Sequence, residues 1–227
     1  RIAPGVAAIV DDMVAAIDAA DASVHLQTYI FADDRTGRRV AAALGRAAAR
    51  GVAVRVLVDA LGSRRWSRRS LAMLARAGVD ARLTLPTGSI LRHLRSDLRN
   101  HRKLCLVDGR IGFVGSLNIV DRDFRPGIVN DELVARVEGP VVAALEAVFA
   151  TDWHLETEQV LPAAPVAAAT GTLCLQPMPS SPDHPTLAYE RLLVECVHAA
   201  RHRVTLVTPY FIPDGALLIA LKNAVDR

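Results

Sequence analysis

Apolar residues recur every three or four positions from Val6 to Ala20, the spacing of a helix with one buried face, and give way to an apolar run from Val24 to Phe31 that reads as a strand. The same change of period happens twice more. An alanine-rich helix is predicted over Arg38–Arg50 and stopped by Gly51, followed by a buried strand over Val52–Asp59. Leu71–Ala77 and Ala81–Leu85 form the third pair. The rhythm breaks at Asp108-Gly109, a dipeptide suited to two-residue hairpins, so Arg102–Val107 and Arg110–Val114 should run antiparallel. A strand over Glu132–Val137 and a helix from Val141 to about His154, opened by Gly139-Pro140, complete the set. Alternating helices and strands argue for an α/β layered sheet, and the hairpin makes that sheet mixed rather than all parallel.

Beyond this the pattern starts again. Pro162–Thr172, rich in Ala and Pro, reads as a linker, and after it come a strand over Thr172–Gln176, a helix over Thr186–Ala200 and a strand over Arg203–Thr208. Val24, Leu26, Thr28 and Asp34 recur 180 positions later as Val204, Leu206, Thr208 and Asp214, the mark of an internal repeat. No strand matching Val52–Asp59 follows in the second copy before Arg227. The expected organisation is a first domain over 1–160, a linker over 161–172 and the start of a second domain over 173–227.

A chain of 227 residues, 51% of them hydrophobic, has enough apolar surface for a sizeable core, which excludes a disordered chain. No apolar run reaches the roughly 18 to 20 residues of a bilayer crossing, so a cytoplasmic or peripherally membrane-associated piece is expected. Arg1 is not an initiator methionine, which implies a start inside a longer product and leaves room for a spanning segment upstream. Cys105, Cys174 and Cys196 are too far apart for a C-x-x-C zinc site and read as small buried hydrophobes in a reducing compartment. The net charge is +3, yet Arg64 to Lys103 holds ten arginines and one lysine against two aspartates, a local +9 that leaves −6 elsewhere. A basic segment of this kind suits an anionic substrate or surface.

The chemistry concentrates between Asn100 and Asn118. Side chains alternate along a strand, so His101 and Lys103 should project from one face, and the hairpin should return Gly115, Ser116 and Asn118 to the same place. A nucleophile, a cation and neutral donors around one spot are what phosphodiester chemistry requires. A neutral imidazole attacks phosphorus, while an ammonium and an amide stabilise the oxygens as charge builds. The other histidines, His25, His93, His154, His184, His198 and His202, show no partner pattern and read as surface or packing residues.

His101, Lys103, Asp108, Gly115, Ser116 and Asn118 match H-x-K-x(4)-D-x(6)-G-S-x-N, and on these six positions the chain resembles the phospholipase D superfamily. Flanking segments resemble its cardiolipin synthase branch. They are Gln27 to Phe31 with Asp33 and Asp34, Gly51 to Ser63, Glu138-Gly139-Pro140, Ser180-Ser181-Pro182, and Thr208 to Asp214. The resemblance implies a phospholipase D-like mixed sheet flanked by helices, with the first repeat complete and the second truncated. It also implies a metal-free, cofactor-free reaction through a phosphohistidine, in which two H-x-K motifs meet across a pseudo-twofold axis. The second motif would come from a C-terminal part or from a homodimer.

By the same resemblance, Glu132, or failing it the adjacent Asp131, is expected to orient His101, and Ser116 to help position the donors. Asp108 is expected to satisfy backbone in its turn rather than to catalyse. Gln27 departs from the glutamate usual in the synthases, which puts a second site carboxylate in question. Arg99, Arg102 and Tyr29 are assigned to the substrate side, although alternation also permits core packing for Tyr29 and Phe31. The leading reading is a phosphatidyltransferase acting on anionic phospholipid at a membrane surface, or a phospholipase D if water is the acceptor. A phosphodiesterase acting on nucleic acid and an idle fragment that binds phosphate or anionic membrane are the alternatives.

Overall fold

The computed structural model describes residues 5–86, 99–169, 171–180, 187–208 and 210–227. Part of the basic segment, Thr186, His93, His184, Ser181, Pro182 and Pro209 lie outside the described residues. The chain divides into two compact units, Arg1–Leu175 and Gln176–Arg227.

In the first unit six strands form one mixed sheet in the order β3-β2-β1-β4-β5-β6. β1 (Ser23–Thr28), β2 (Ala53–Asp59) and β3 (Asp80–Thr84) are parallel, joined by helices as parallel neighbours must be, while β4 (Leu104–Val107), β5 (Ile111–Gly115) and β6 (Val134–Glu138) are antiparallel. The expected α/β class and mixed sheet are present. Strand alternation sorts the core into two layers. Val24, Leu26, Val54, Val56, Val58, Cys105 and Val107 face α1 (Val6–Asp18), α2 (Arg35–Ala49) and α3 (Ser67–Arg76). Leu57, Leu104 and Leu106 face α4 (Val141–Thr157) with its buried Phe149 and Trp153.

Local chemistry explains the boundaries. Asp34 caps α2 by accepting from the Gly37 N–H at 2.9 Å, and Gly51, with φ +89°, ends it. Asp108 and Gly109 both have positive φ, +54° and +61°, the geometry that a two-residue hairpin needs and that Asp-Gly accepts. The Asp108 carboxylate accepts from the backbone N–H groups of Asp21, Ala22 and Ser23 at 2.8 to 3.0 Å, tying the hairpin to the entry of β1.

The second unit contains α5 (Leu187–Ala199) and α6 (Gly215–Asp226), which pack on each other. The strands expected over Thr172–Gln176 and Arg203–Thr208 are not formed. A strand exists only where a neighbour accepts its ladder bonds, and among the described residues neither segment has one. Cys105 is buried and its thiol is pushed up to about 12 by that burial, whereas Cys174 and Cys196 are exposed, against the expectation that all three are packed inside. Among the described residues no helix is long and apolar enough to cross a membrane.

Candidate active site

His101 and Lys103 lie on the approach to β4, and the Lys103 Nζ stands 3.3 Å from the His101 Nδ1. An ammonium has donors only, so this contact favours the neutral ring over the imidazolium. The i, i+2 spacing does what alternation predicts, although regular pairing begins only at Leu104. Tyr29, just past β1, lays its ring on the His101 ring with centroids 4.0 Å apart, and Lys103 Nζ sits 5.7 Å from the Tyr29 centroid. This cover desolvates the imidazole and lowers its pKa; the Lys103 charge lowers it further, and Asp59 works in the opposite direction. Lys103 is also lowered, first by burial, with Glu132 and Asp59 favouring its charged form. Burial likewise raises the Tyr29 phenol, with Asp59 adding to it.

The hairpin brings the remaining motif residues to this end of the sheet. Gly115 N–H points at the Lys103 carbonyl at 3.4 Å. A β-carbon on Gly115 would lie 2.1 Å from the Leu133 oxygen, so only glycine lets β6 pass there. Ser116 is tied three times to Leu133: its N–H and its hydroxyl donate to the Leu133 oxygen at 3.0 and 3.3 Å, and its hydroxyl accepts from the Leu133 N–H at 2.9 Å. This places Glu132 within electrostatic reach of Lys103. Asn118 accepts at Oδ1 from the Ile30 N–H at 3.0 Å, which occupies the carbonyl of its amide and leaves the NH2 as the group it can offer a ligand.

Several placements differ from expectation. Among the described residues neither Glu132 nor Asp131 is hydrogen-bonded to the His101 ring. Glu132 acts on Lys103 instead, and Asp131 is exposed and paired with Arg122 at 3.0 Å, because the segment leading into β6 is registered by Ser116 and Leu133 rather than by the histidine. Arg99 and Arg102, expected to face substrate, point inward to buried carboxylates, Arg99 to Asp59 at 3.0 Å and Arg102 to Asp152 at 2.6 Å. A buried carboxylate left without a cation is strongly destabilising, so the fold turns a nearby arginine to each of them. Gln27 also faces inward, donating to Asp152 at 2.6 Å. Asp108 sits at the far end of β4 from His101.

Asp59 and Asp152 were not singled out by sequence reasoning. Asp59 stood inside the Gly51–Ser63 segment without a role. Asp152 had a legible signal, because it falls with Leu145, Phe149 and Trp153 on the buried stripe of α4, where an acidic residue needs a partner. Glu146 on the same stripe meets the His25 Nδ1 at 2.6 Å, which gives that histidine a buried partner the sequence did not announce. Tyr29 is held from below. Ser63 donates to its carbonyl at 3.0 Å, and Gly62 lies so close that a β-carbon there would sit 2.4 Å from the Tyr29 oxygen. Among the described residues no group of three or more His, Cys, Asp or Glu is arranged to hold a metal ion.

The sheet also resembles those of solved structures. Nuc from Salmonella typhimurium, a phospholipase D family member, superposes with a TM-score of 0.51 at 20% identity, covering 71% of this chain and 91% of that one. NucT from Helicobacter pylori gives 0.50 at 19% identity, covering 64% and 87%. At such identities the likeness shows a shared fold. In sequence, cardiolipin synthase A of Pseudomonas fluorescens is 37% identical over 217 residues, 93% of this chain and 45% of that protein. Cardiolipin synthase A of Yersinia pseudotuberculosis is 35% identical over 228 residues, 95% and 47%. The chain therefore spans about half the length of the curated relatives it matches. The family described as cardiolipin synthase, PLD-like domain, matches residues 13–153, a stretch that runs from α1 to α4 and contains the His101–Lys103 pair, all of its hairpin and both buried carboxylates; the chain belongs to that family.

Proposed function

We propose that this chain is part of a phosphatidyltransferase that joins two phosphatidylglycerol molecules into cardiolipin, with His101 as one of its two working histidines. The observation that carries the reading is the 3.3 Å approach of Lys103 to a neutral, partly covered imidazole. In the first step a lone pair of the His101 ring attacks phosphorus, and the phosphorus–oxygen bond to the headgroup glycerol breaks. The departing glycerol takes a proton from the second histidine. In the second step the hydroxyl of another phosphatidylglycerol attacks the phosphohistidine and gives up its proton to the second histidine, left neutral by the first step. The phosphorus–nitrogen bond then breaks, and the imidazole is regenerated.

Lys103 and the Asn118 NH2 donate to the non-bridging oxygens, Ser116 holds the turn that presents them, and Glu132 sustains the charge on Lys103. Gly115 admits β6 and the segment before it that carries Glu132, and Tyr29 forms the wall against which the ring and the lipid headgroup lie. The anionic lipid would be met at a membrane surface. This sequence carries one H-x-K motif, so the second histidine would come from a further part of the protein or from a second copy across a twofold axis.

The test supplies the full-length protein with phosphatidylglycerol vesicles and follows cardiolipin and released glycerol. His101→Ala should lower turnover at least roughly 10³-fold, as loss of a nucleophile does. The 227-residue chain as a monomer should be slower than the full-length protein by about 10² to 10⁴-fold, the worth of a general acid. Full-rate turnover by the monomeric chain would overturn the two-histidine mechanism. Cleavage of single-stranded DNA that His101→Ala abolishes, with no lipid turnover, would overturn the substrate.

A further inference from the structure

Two buried carboxylates lie outside the residues that would meet substrate, and both reach the chain beside His101. Asp59, 1% exposed at the end of β2, accepts at Oδ1 from the N–H groups of Leu61 and Gly62 at 2.9 and 2.8 Å and from Arg99 at 3.0 Å. Its Oδ2 accepts from the Asn100 N–H at 3.3 Å. Asp152, 8% exposed on α4, accepts at Oδ2 from the Asn100 side chain at 3.0 Å, from Arg102 at 2.6 Å and from Gln27 at 2.6 Å. Asn100 therefore touches both acids, and its own Oδ1 accepts from the Arg102 N–H at 3.2 Å. Residues 99, 100 and 102 are turned inward. His101 and Lys103 are left facing outward together.

Regular strand pairing starts only at Leu104, so the sheet ladder does not define the conformation at His101. Two anions anchored on different layers do: one at the end of the sheet, one on the helix behind it. A buried carboxylate is tolerated when it is paired and multiply hydrogen-bonded, and each of these has at least three donors. Burying two such groups on either side of one histidine is a costly way to stabilise a fold and a direct way to aim a side chain.

We propose that Asp59 and Asp152 are positioning residues, which grip Arg99, Asn100 and Arg102 so that the His101 imidazole and the Lys103 ammonium are presented together to the phosphorus. This rests on the phosphoryl-transfer reading above. Neither carboxylate touches the reacting atoms. Asp59 has a second effect, because its charge acts on the ring. The charged or titratable groups that act on His101 are Lys103 from its own segment and Asp59 from β2; Tyr29 from the end of β1 covers the ring, and Glu132 acts on Lys103. Asp59 favours the imidazolium. Its removal should let His101 stay neutral to lower pH.

The experiment places Asp59→Asn, Asp152→Asn and Asn100→Ala in the full-length protein. It measures kcat and KM on phosphatidylglycerol vesicles, and the pH dependence of His101 modification by diethylpyrocarbonate, which reacts with neutral imidazole. Each variant should lose about 10 to 100-fold in kcat with KM within about threefold, since misaligned reacting groups cost rate rather than binding. The modification midpoint should move to lower pH in Asp59→Asn and stay in place in Asp152→Asn. Asn100→Ala keeps both Asp–Arg pairs, so it carries the test if either carboxylate variant does not fold. Wild-type kcat in the folded variants, or a loss confined to KM, would overturn the proposal. If the wild-type protein turned over no phospholipid, the functional reading would fail, while an unmoved midpoint in Asp59→Asn would still overturn the part assigned to Asp59.

Discussion

The segments around β1 and around Thr208 begin with the same local instructions and end differently. Thr28 donates its hydroxyl to the carbonyl two residues on, at 2.9 Å to Ile30, and Thr208 does the same to Tyr210 at 3.1 Å. Asp34 caps α2 through Gly37 at 2.9 Å, and Asp214 caps α6 through Leu217 at 2.8 Å. Even the preceding helices correspond, since Val6–Asp18 and Leu187–Ala199 are both 13 residues long. Yet Ser23–Thr28 is a central strand, paired on both edges, and Arg203–Thr208 is not a strand at all. Side-chain caps act over three residues and form wherever their sequence occurs. A strand is a property of its neighbours.

Hydrogen exchange on this chain reads that contrast most strongly. Amides in Val24–Thr28 should exchange at least roughly 10³-fold more slowly than those in Val204–Val207, because only the former open with the core. Equal protection in the two segments would break the comparison. The packed interiors should differ next. Trp153 is fully buried between α4 and the sheet, and Trp153→Ala should cost about 3 to 5 kcal/mol in chemical denaturation. Val207 is 91% exposed, and Val207→Ala should stay within about 0.5 kcal/mol.

The caps offer the finest test. Asp214→Ala should cost about 1 kcal/mol, the usual worth of an N-cap. Asp34→Ala should cost about twice that, because its Oδ2 also accepts from the Asp121 N–H at 2.8 Å and ties the start of α2 to the loop beyond Asn118. Equal losses at the two positions, measured by thermal or denaturant unfolding, would mean that the second bond adds nothing.

Much of the first unit was legible in the sequence. The helix and strand periods located α1 to α4 and β1 to β6 to within a few residues, because amphipathic spacing and turn residues are local quantities. The two unformed strands failed for the opposite reason: their alternation was genuine, but pairing depends on chain that lies far away in sequence. The site divides the same way. The convergence of His101 and Lys103 follows from a spacing of two, and the turn at Asp108 from a dipeptide. The direction of Arg99 and Arg102 does not, because from sequence a basic residue beside a histidine is as suited to a phosphate as to a buried carboxylate.

By itself, then, the sequence determined where the elements begin and end, which hairpin carries the motif, and that an imidazole and an ammonium share one face, since each depends on residues a few positions apart. Only the tertiary structure decided that Asp59 and Asp152, 42 residues before and 51 after His101 in the chain, hold the segment in place, that Gln27 serves Asp152, and that Glu132 acts on Lys103. These choices are made by packing. A buried charge takes the partner that folding brings to it, and α4 delivers Asp152 to the sheet through the burial of Phe149 and Trp153 rather than through any signal next to the histidine.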